Sequence, residues 1–126
     1  MEGWTTDRVL ALAPDAGSVA AGRKLALPGP WSATGQDERA VWGDCQGSGK
    51  KPYETEVDLA EPAFRCSCPS RKFPCKHALG LLLLAVEQPA AVPAGEPPER
   101  VTEWLEGRAG RVEQAAARRE RSAAGP

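Results

Sequence analysis

The chain has no isoleucine, one histidine, one tyrosine, one methionine and two phenylalanines among its 126 residues. Leucine, valine and phenylalanine together number 21, too few for a thick core. Such leanness signals disorder only alongside a strong net charge, and the formal charge here is −1. A small folded unit with a thin core is the expectation, and such units need a staple of disulfides or metal. Charge of one sign is also missing, so no global excess points to a partner. Long apolar stretches are absent: the longest run, Leu81 to Val86, falls far short of the ~20 residues that span a bilayer. The opening residues lack the pattern of an export signal, since Trp4, Thr5, Thr6, Asp7 and Arg8 interrupt any apolar run. A cytoplasmic chain without a membrane partner is therefore expected, with its four cysteines reduced and available to a metal.

What is present falls into short elements. Thr5 and Thr6 cap a helix that stops at Pro14, and Asp15 caps a second that ends near Leu25. Pro28-Gly29-Pro30 breaks the chain, and Trp31 to Gln36 reads as loop. A strand is expected over Arg39 to Cys45, followed by a turn at Gln46 to Gly49. The next strand, Tyr53 to Leu59, alternates with period two, placing Tyr53, Thr55, Val57 and Leu59 on one face. Glu54, Glu56 and Asp58 lie on the other, which reads as a solvated face without acid–base chemistry. A third strand covers Ala63 to Ser67. From Lys76 to Glu87 the pattern is helical and apolar nearly all round, so the helix is either buried on every side or leaves a docking patch. The expected fold is α+β: N-terminal helices, a three-stranded antiparallel meander, a central helix and a C-terminal helix. By residue this gives an N-terminal helical segment at 1–36, a metal-stapled domain at 37–88 with its core at 63–86, a linker at 89–97, a helix at 98–120 and a tail at 121–126. Val101, Trp104, Leu105 and Val112 form the stripe of the last helix.

Chemistry concentrates in one place. Cys66 and Cys68 form C-x-C, a six-residue gap follows, and Cys75 and His77 form C-x-H. Zinc takes four soft or borderline ligands in a tetrahedron, with Zn–S near ~2.3 Å and Zn–N near ~2.0 Å. A strand-end pair facing a helix-start pair supplies that set, and the helix N-terminus favours the thiolates. Four protein ligands leave no open position, so one structural Zn2+ is expected rather than a catalytic one. Two disulfides would pair Cys45 with one of these cysteines and leave His77 without a role, which a reducing compartment disfavours. An iron–sulfur site is the other alternative, and mixed Cys/His ligation favours zinc over it. Cys45 is either a small buried strand residue or a fifth, exchanging ligand, and the first is the commoner use.

These four positions resemble the SWIM-type zinc finger, whose pattern is C-x-C, a variable gap, then C-x-H. Upstream, Trp42-Gly43-Asp44-Cys45-Gln46-Gly47-Ser48-Gly49 and Pro52-Tyr53 extend the similarity to a bacterial SWIM zinc finger family, in outline from about residue 3 to about residue 105. Members tend to be longer, so the chain looks like an N-terminal portion. The resemblance implies binding of nucleic acid or protein and no catalysis.

Other chemistry finds little support. With the only histidine on zinc, a Ser–His–Asp or Cys–His system has no free base, and no enzyme activity or small-molecule substrate is expected. The glycines from Gly43 to Gly49 fail the spacing of a phosphate-binding loop, and Lys51 stands where its hydroxyl should be. Two roles remain. A protein partner would use an apolar patch of the central helix. Nucleic acid would use Arg65, Arg71, Lys72 and Lys76 of the finger loop, with Lys50 and Lys51 on the preceding turn and Phe73 for stacking. Three thiolates leave the bound ion near a net charge of about −1, which those cations also serve to neutralise. The protein partner is the leading expectation and nucleic acid the alternative.

Overall fold

The computed structural model describes residues 1, 3–47, 49–60, 62–69 and 73–109. Thr5 starts the first helix, α1 (Thr6–Leu10), by accepting a hydrogen bond from the Arg8 amide. Asp15 does the same for α2 (Ala16–Lys24), taking the Ser18 amide at 2.7 Å. Each cap satisfies an amide that the helix itself leaves without a partner.

Four strands follow in a simple antiparallel meander: β1 (Trp31–Gln36), β2 (Ala40–Cys45), β3 (Tyr53–Asp58) and β4 (Ala63–Cys66). The expected loop at Trp31 to Gln36 is thus an edge strand, and the sheet has four strands rather than three. Trp31 is the only large apolar residue in β1, so period-two alternation has almost nothing to act on. The register shifts between Ser32 and Gly35 around Ala33, whose φ is 50°, which breaks the pattern further. Pairing to β2 and the Trp31 indole, which donates to the Leu25 carbonyl at 2.8 Å, hold the strand instead.

The expected linker is also used. Thr34 Oγ1 donates to the Ala91 carbonyl, Gln36 Nε2 donates to the Val92 carbonyl, and the Gln36 backbone pairs with Pro93 and Gly95. A 3-10 turn (Pro89–Ala91) starts this stretch, and Val92 is fully buried. The segment covers the outer edge of β1, where free backbone groups would otherwise face solvent.

α3 (Lys76–Glu87) packs on the inner face of the sheet, and α1 and α2 pack on its far side. Leu79, Leu81, Leu82, Leu83 and Leu84 are therefore all completely buried. This accounts for a helix that is apolar nearly all round, and it leaves no leucine patch for docking. α2 and α3 meet closely at Gly22 and Gly80: a Cβ on Gly22 would lie 2.8 Å from that of Leu79, and one on Gly80 would lie 2.6 Å from that of Leu25.

The outer face of the sheet carries a second layer. Residues 99–109 are helical (α4) and lay Val101 and Leu105 on Ala40 and Trp42, with Trp104 beside them. The acidic face of β3 is accordingly not solvated: Glu56 and Asp58 are each only 2% exposed, whereas Glu54 stays exposed. Arg100 reaches Asp44 at 2.8 Å, Glu54 at 3.6 Å and Glu56 at 3.5 Å. Arg108 reaches Asp58 at 3.0 Å, and Arg39 adds a contact to the same carboxylate at 3.6 Å. Buried carboxylates persist because arginines meet them. Val112, the rest of the expected helix to 120 and the tail lie outside the described residues.

Candidate metal centre

Each ligand is delivered by a different local feature. Cys66 ends β4 opposite Thr55 of β3. One residue on, the Ser67 amide donates to the Glu54 carbonyl and the Ser67 hydroxyl accepts from the Glu54 amide at 2.9 Å. This double clamp fixes the chain between Cys66 and Cys68. Cys75 is the N-cap of α3, and its sulfur accepts from the Ala78 amide at 3.5 Å. His77 lies in the first turn, 5% exposed, with its ring 4.9 Å from that of Tyr53.

The ligand atoms of Cys66, Cys68, Cys75 and His77 all lie within 4.8 Å of one another. A tetrahedral zinc site of three sulfurs and one nitrogen with the usual bond lengths has edges of roughly 3.5–3.8 Å, so a contraction of at most about 1.3 Å closes it. His77 Nδ1 is buried without a hydrogen-bond partner, a polar orphan of the sort a metal site accounts for. The donor set, the orphan nitrogen and the compactness all fit zinc.

Without an ion, the surroundings keep a proton on Cys66. Cys66 donates to Cys75, and this contact together with burial pushes the Cys66 thiol up to about 11. The same contact, aided by the Ala78 amide, pulls Cys75 below the ordinary thiol value against the effect of burial. A divalent ion must displace the Cys66 proton, so binding is proton-coupled. Thr55 Oγ1 lies 3.2 Å from the Cys66 sulfur and can donate to it as a thiolate.

The remaining singled-out residues divide. Cys45 is fully buried on β2, 3.9 Å from the Gln46 carbonyl, and stands outside the four-residue group. Arg65 points to the opposite face of the sheet, where it pairs with Glu56 at 3.7 Å while remaining largely exposed. Lys76 is exposed at the start of α3. Arg71 and Lys72 lie outside the described residues. Phe73, at 56%, and Leu27, at 54%, are the exposed large hydrophobics among the described residues.

Sequence reasoning missed a groove of about 590 Å³ beside the finger. Gly17, Ser18 and Ala21 of α2 line it on one element, and Tyr53, Lys76 and the ligand residues Cys68 and His77 line it too, so the groove opens onto the metal cluster. Nothing in the local pattern announces it, because α2, the β2–β3 turn and the start of α3 meet only in the fold.

Among the described residues no helix is long and apolar enough to cross a membrane. The SWIM zinc finger family model matches residues 56–85, which run from β3 through all four ligands to the end of the buried part of α3. Comparison with curated proteins and with solved structures gave no match. Residues 56–85 are thus a SWIM zinc finger, in which Cys66, Cys68, Cys75 and His77 bind one structural zinc.

Proposed function

We propose that the zinc finger organises a nucleic-acid-binding end of the molecule, in a non-enzymatic protein of the cytoplasm. One arrangement carries this reading. The meander brings the β2–β3 turn, with exposed Lys50 and Lys51, to the same end of the sheet as the start of α3, with exposed Lys76 and Phe73 nearby. Cations beside an exposed aromatic ring suit a polyanion whose bases can stack. The acidic residues that would oppose it, Asp44, Glu54 and Glu56, are already engaged by Arg100. Four protein ligands on the zinc favour a structural rather than a catalytic part for the ion. The protein-partner reading rested on α3 leucines that are core. What favours it now is narrower, the exposed Leu27 and Phe73.

A salt titration of the zinc-loaded protein with duplex and single-stranded oligonucleotides tests the reading. Three phosphate contacts give a duplex slope near about −2.7, a loss of roughly 40-fold between 50 and 200 mM salt. Lys50→Ala with Lys51→Ala should shallow that slope by about 1.8 and leave the zinc in place. Absence of binding at low salt to DNA or RNA, single- or double-stranded, would remove the proposal and leave the protein-partner reading.

A further inference from the structure

Resting on the nucleic-acid reading, we infer that the groove beside the finger receives one unpaired base, so that the ligand is a single strand. At about 590 Å³ the groove lies within the ~300–1,000 Å³ range of sites that enclose a small ligand. Its α2 wall is kept low by Gly17, Ser18 and Ala21, none of which projects a large side chain. Facing it is the half-buried ring of Tyr53, which packs on the ring of the buried zinc ligand His77, tilted by 48° with centroids 4.9 Å apart. Both rings are fixed in place. His77 is anchored among the zinc ligands, and the Gly47 backbone packs against the Tyr53 ring so closely that no Cβ could be added there. Ser18 lines the groove with a hydroxyl and Gln46 with an amide oxygen, its nitrogen already donating to the Gly47 and Gly49 carbonyls, and such groups pair with base edges. Lys76 lines it too, and Lys50 and Lys51 lie on the neighbouring turn, where the flanking phosphates would pass.

The combination discriminates by strandedness. A base in a duplex is stacked and paired, and reaching a pocket requires flipping it out of the helix. A base in a single strand is already free to enter, and its π-face is accepted whatever its identity. The lysines attract both forms, and the groove favours the single strand.

The test compares a fluorescein-labelled oligothymidylate with a duplex of equal length against the zinc-loaded protein at low salt, by anisotropy. The single strand should bind about tenfold tighter or more, the scale of one stacked base. Ala21→Trp fills the groove from a half-buried position on α2 and should abolish that preference while duplex binding persists. Gly17→Phe, on the same wall, should do likewise, and zinc stoichiometry and melting midpoint are checked for both. In the unaltered protein, 2-aminopurine placed within the oligonucleotide should lose fluorescence on binding, as its base stacks beside Tyr53. Equal affinity for the two forms, a folded Ala21→Trp protein that keeps the preference, or unchanged 2-aminopurine emission would each overturn the groove while leaving nucleic-acid binding intact. If neither form binds, the nucleic-acid reading falls and the groove with it.

Discussion

Thr55 is fully buried, directly opposite Cys66 in the sheet, with its hydroxyl 3.2 Å from the sulfur. When zinc holds Cys66 as a thiolate, that hydroxyl can turn its proton toward the anion. Thr55→Val keeps the shape and removes the donor. Outer-sphere losses of this kind cost roughly 10- to 100-fold in metal affinity, so competition with a chromophoric chelator should show weaker zinc binding at one ion per chain. An unchanged affinity would mean that the hydroxyl serves only packing. The ligands themselves were legible in the sequence, because C-x-C and C-x-H spacing depends on neighbours along the chain. Thr55 was legible only as an inward-facing strand residue. Its place opposite Cys66 follows from β3–β4 register, which spacing along the chain does not encode.

Helix α3 is located by its pattern alone, from Lys76 to Glu87, since a run of leucines capped by Cys75 leaves little choice. How closely it lies on α2 is set by glycine. An added Cβ at Gly80 would meet Leu25 and come within 3.2 Å of the Gly22 carbonyl oxygen, which cannot swing aside as a side-chain tip can. Alanine would gain about 1 kcal/mol of helix propensity, so the sharper probe is Gly80→Leu. That change should destabilise by about 1–3 kcal/mol or more through overpacking, seen as a lower urea midpoint. A neutral or stabilising result would contradict the observed helix spacing. On the other side of the sheet, the arginines of α4 flank its apolar stripe in the sequence, yet the alternation of β3 reads equally well as a wet acidic face. Only the docked helix decides between them. Burial raises the Glu56 pKa, and Arg100 and Arg65 oppose the rise. For a carboxyl shifted upward, the cost of its charge is fully present above the folded pKa. That cost is relieved as pH falls through the folded pKa toward the ordinary value. Glu56→Gln removes the charge, and Arg100 keeps Asp44 at 2.8 Å as its partner. The variant should therefore match or exceed the parent in urea midpoint at pH 7.5, with its relative advantage shrinking by pH 5.5 in zinc-loaded samples. A large loss at pH 7.5 that persists at pH 5.5 would show that the ion pairs outweigh desolvation.

At the scale of the whole molecule, the zinc ligands lie where the sheet meets its central helix. Cys66 ends β4, Cys75 caps α3, and α3 carries the leucines on which α1, α2 and the sheet all pack. Release of the ion leaves buried thiols at that junction, so its effect should spread through the core. The magnitudes agree: structural zinc supplies an apparent ~10–16 kcal/mol near pH 7, against ~5–15 kcal/mol for the net stability of a whole domain. The small complement of large hydrophobics had already pointed to a staple, and the spacing of Cys66, Cys68, Cys75 and His77 identified it. The four-layered arrangement, with α4 outside the sheet, was beyond reach, because it depends on charge pairs between residues some 50 apart, such as Arg108 and Asp58. The decisive measurement is circular dichroism and thermal melting of the protein before and after removal of zinc by excess chelator, with metal content quantified in the same samples. The zinc-loaded protein should contain one ion per chain and melt cooperatively, and chelation should abolish the transition and most of the helical signal. An unchanged spectrum and melting midpoint after the zinc has left would contradict the claim that this ion holds the fold together.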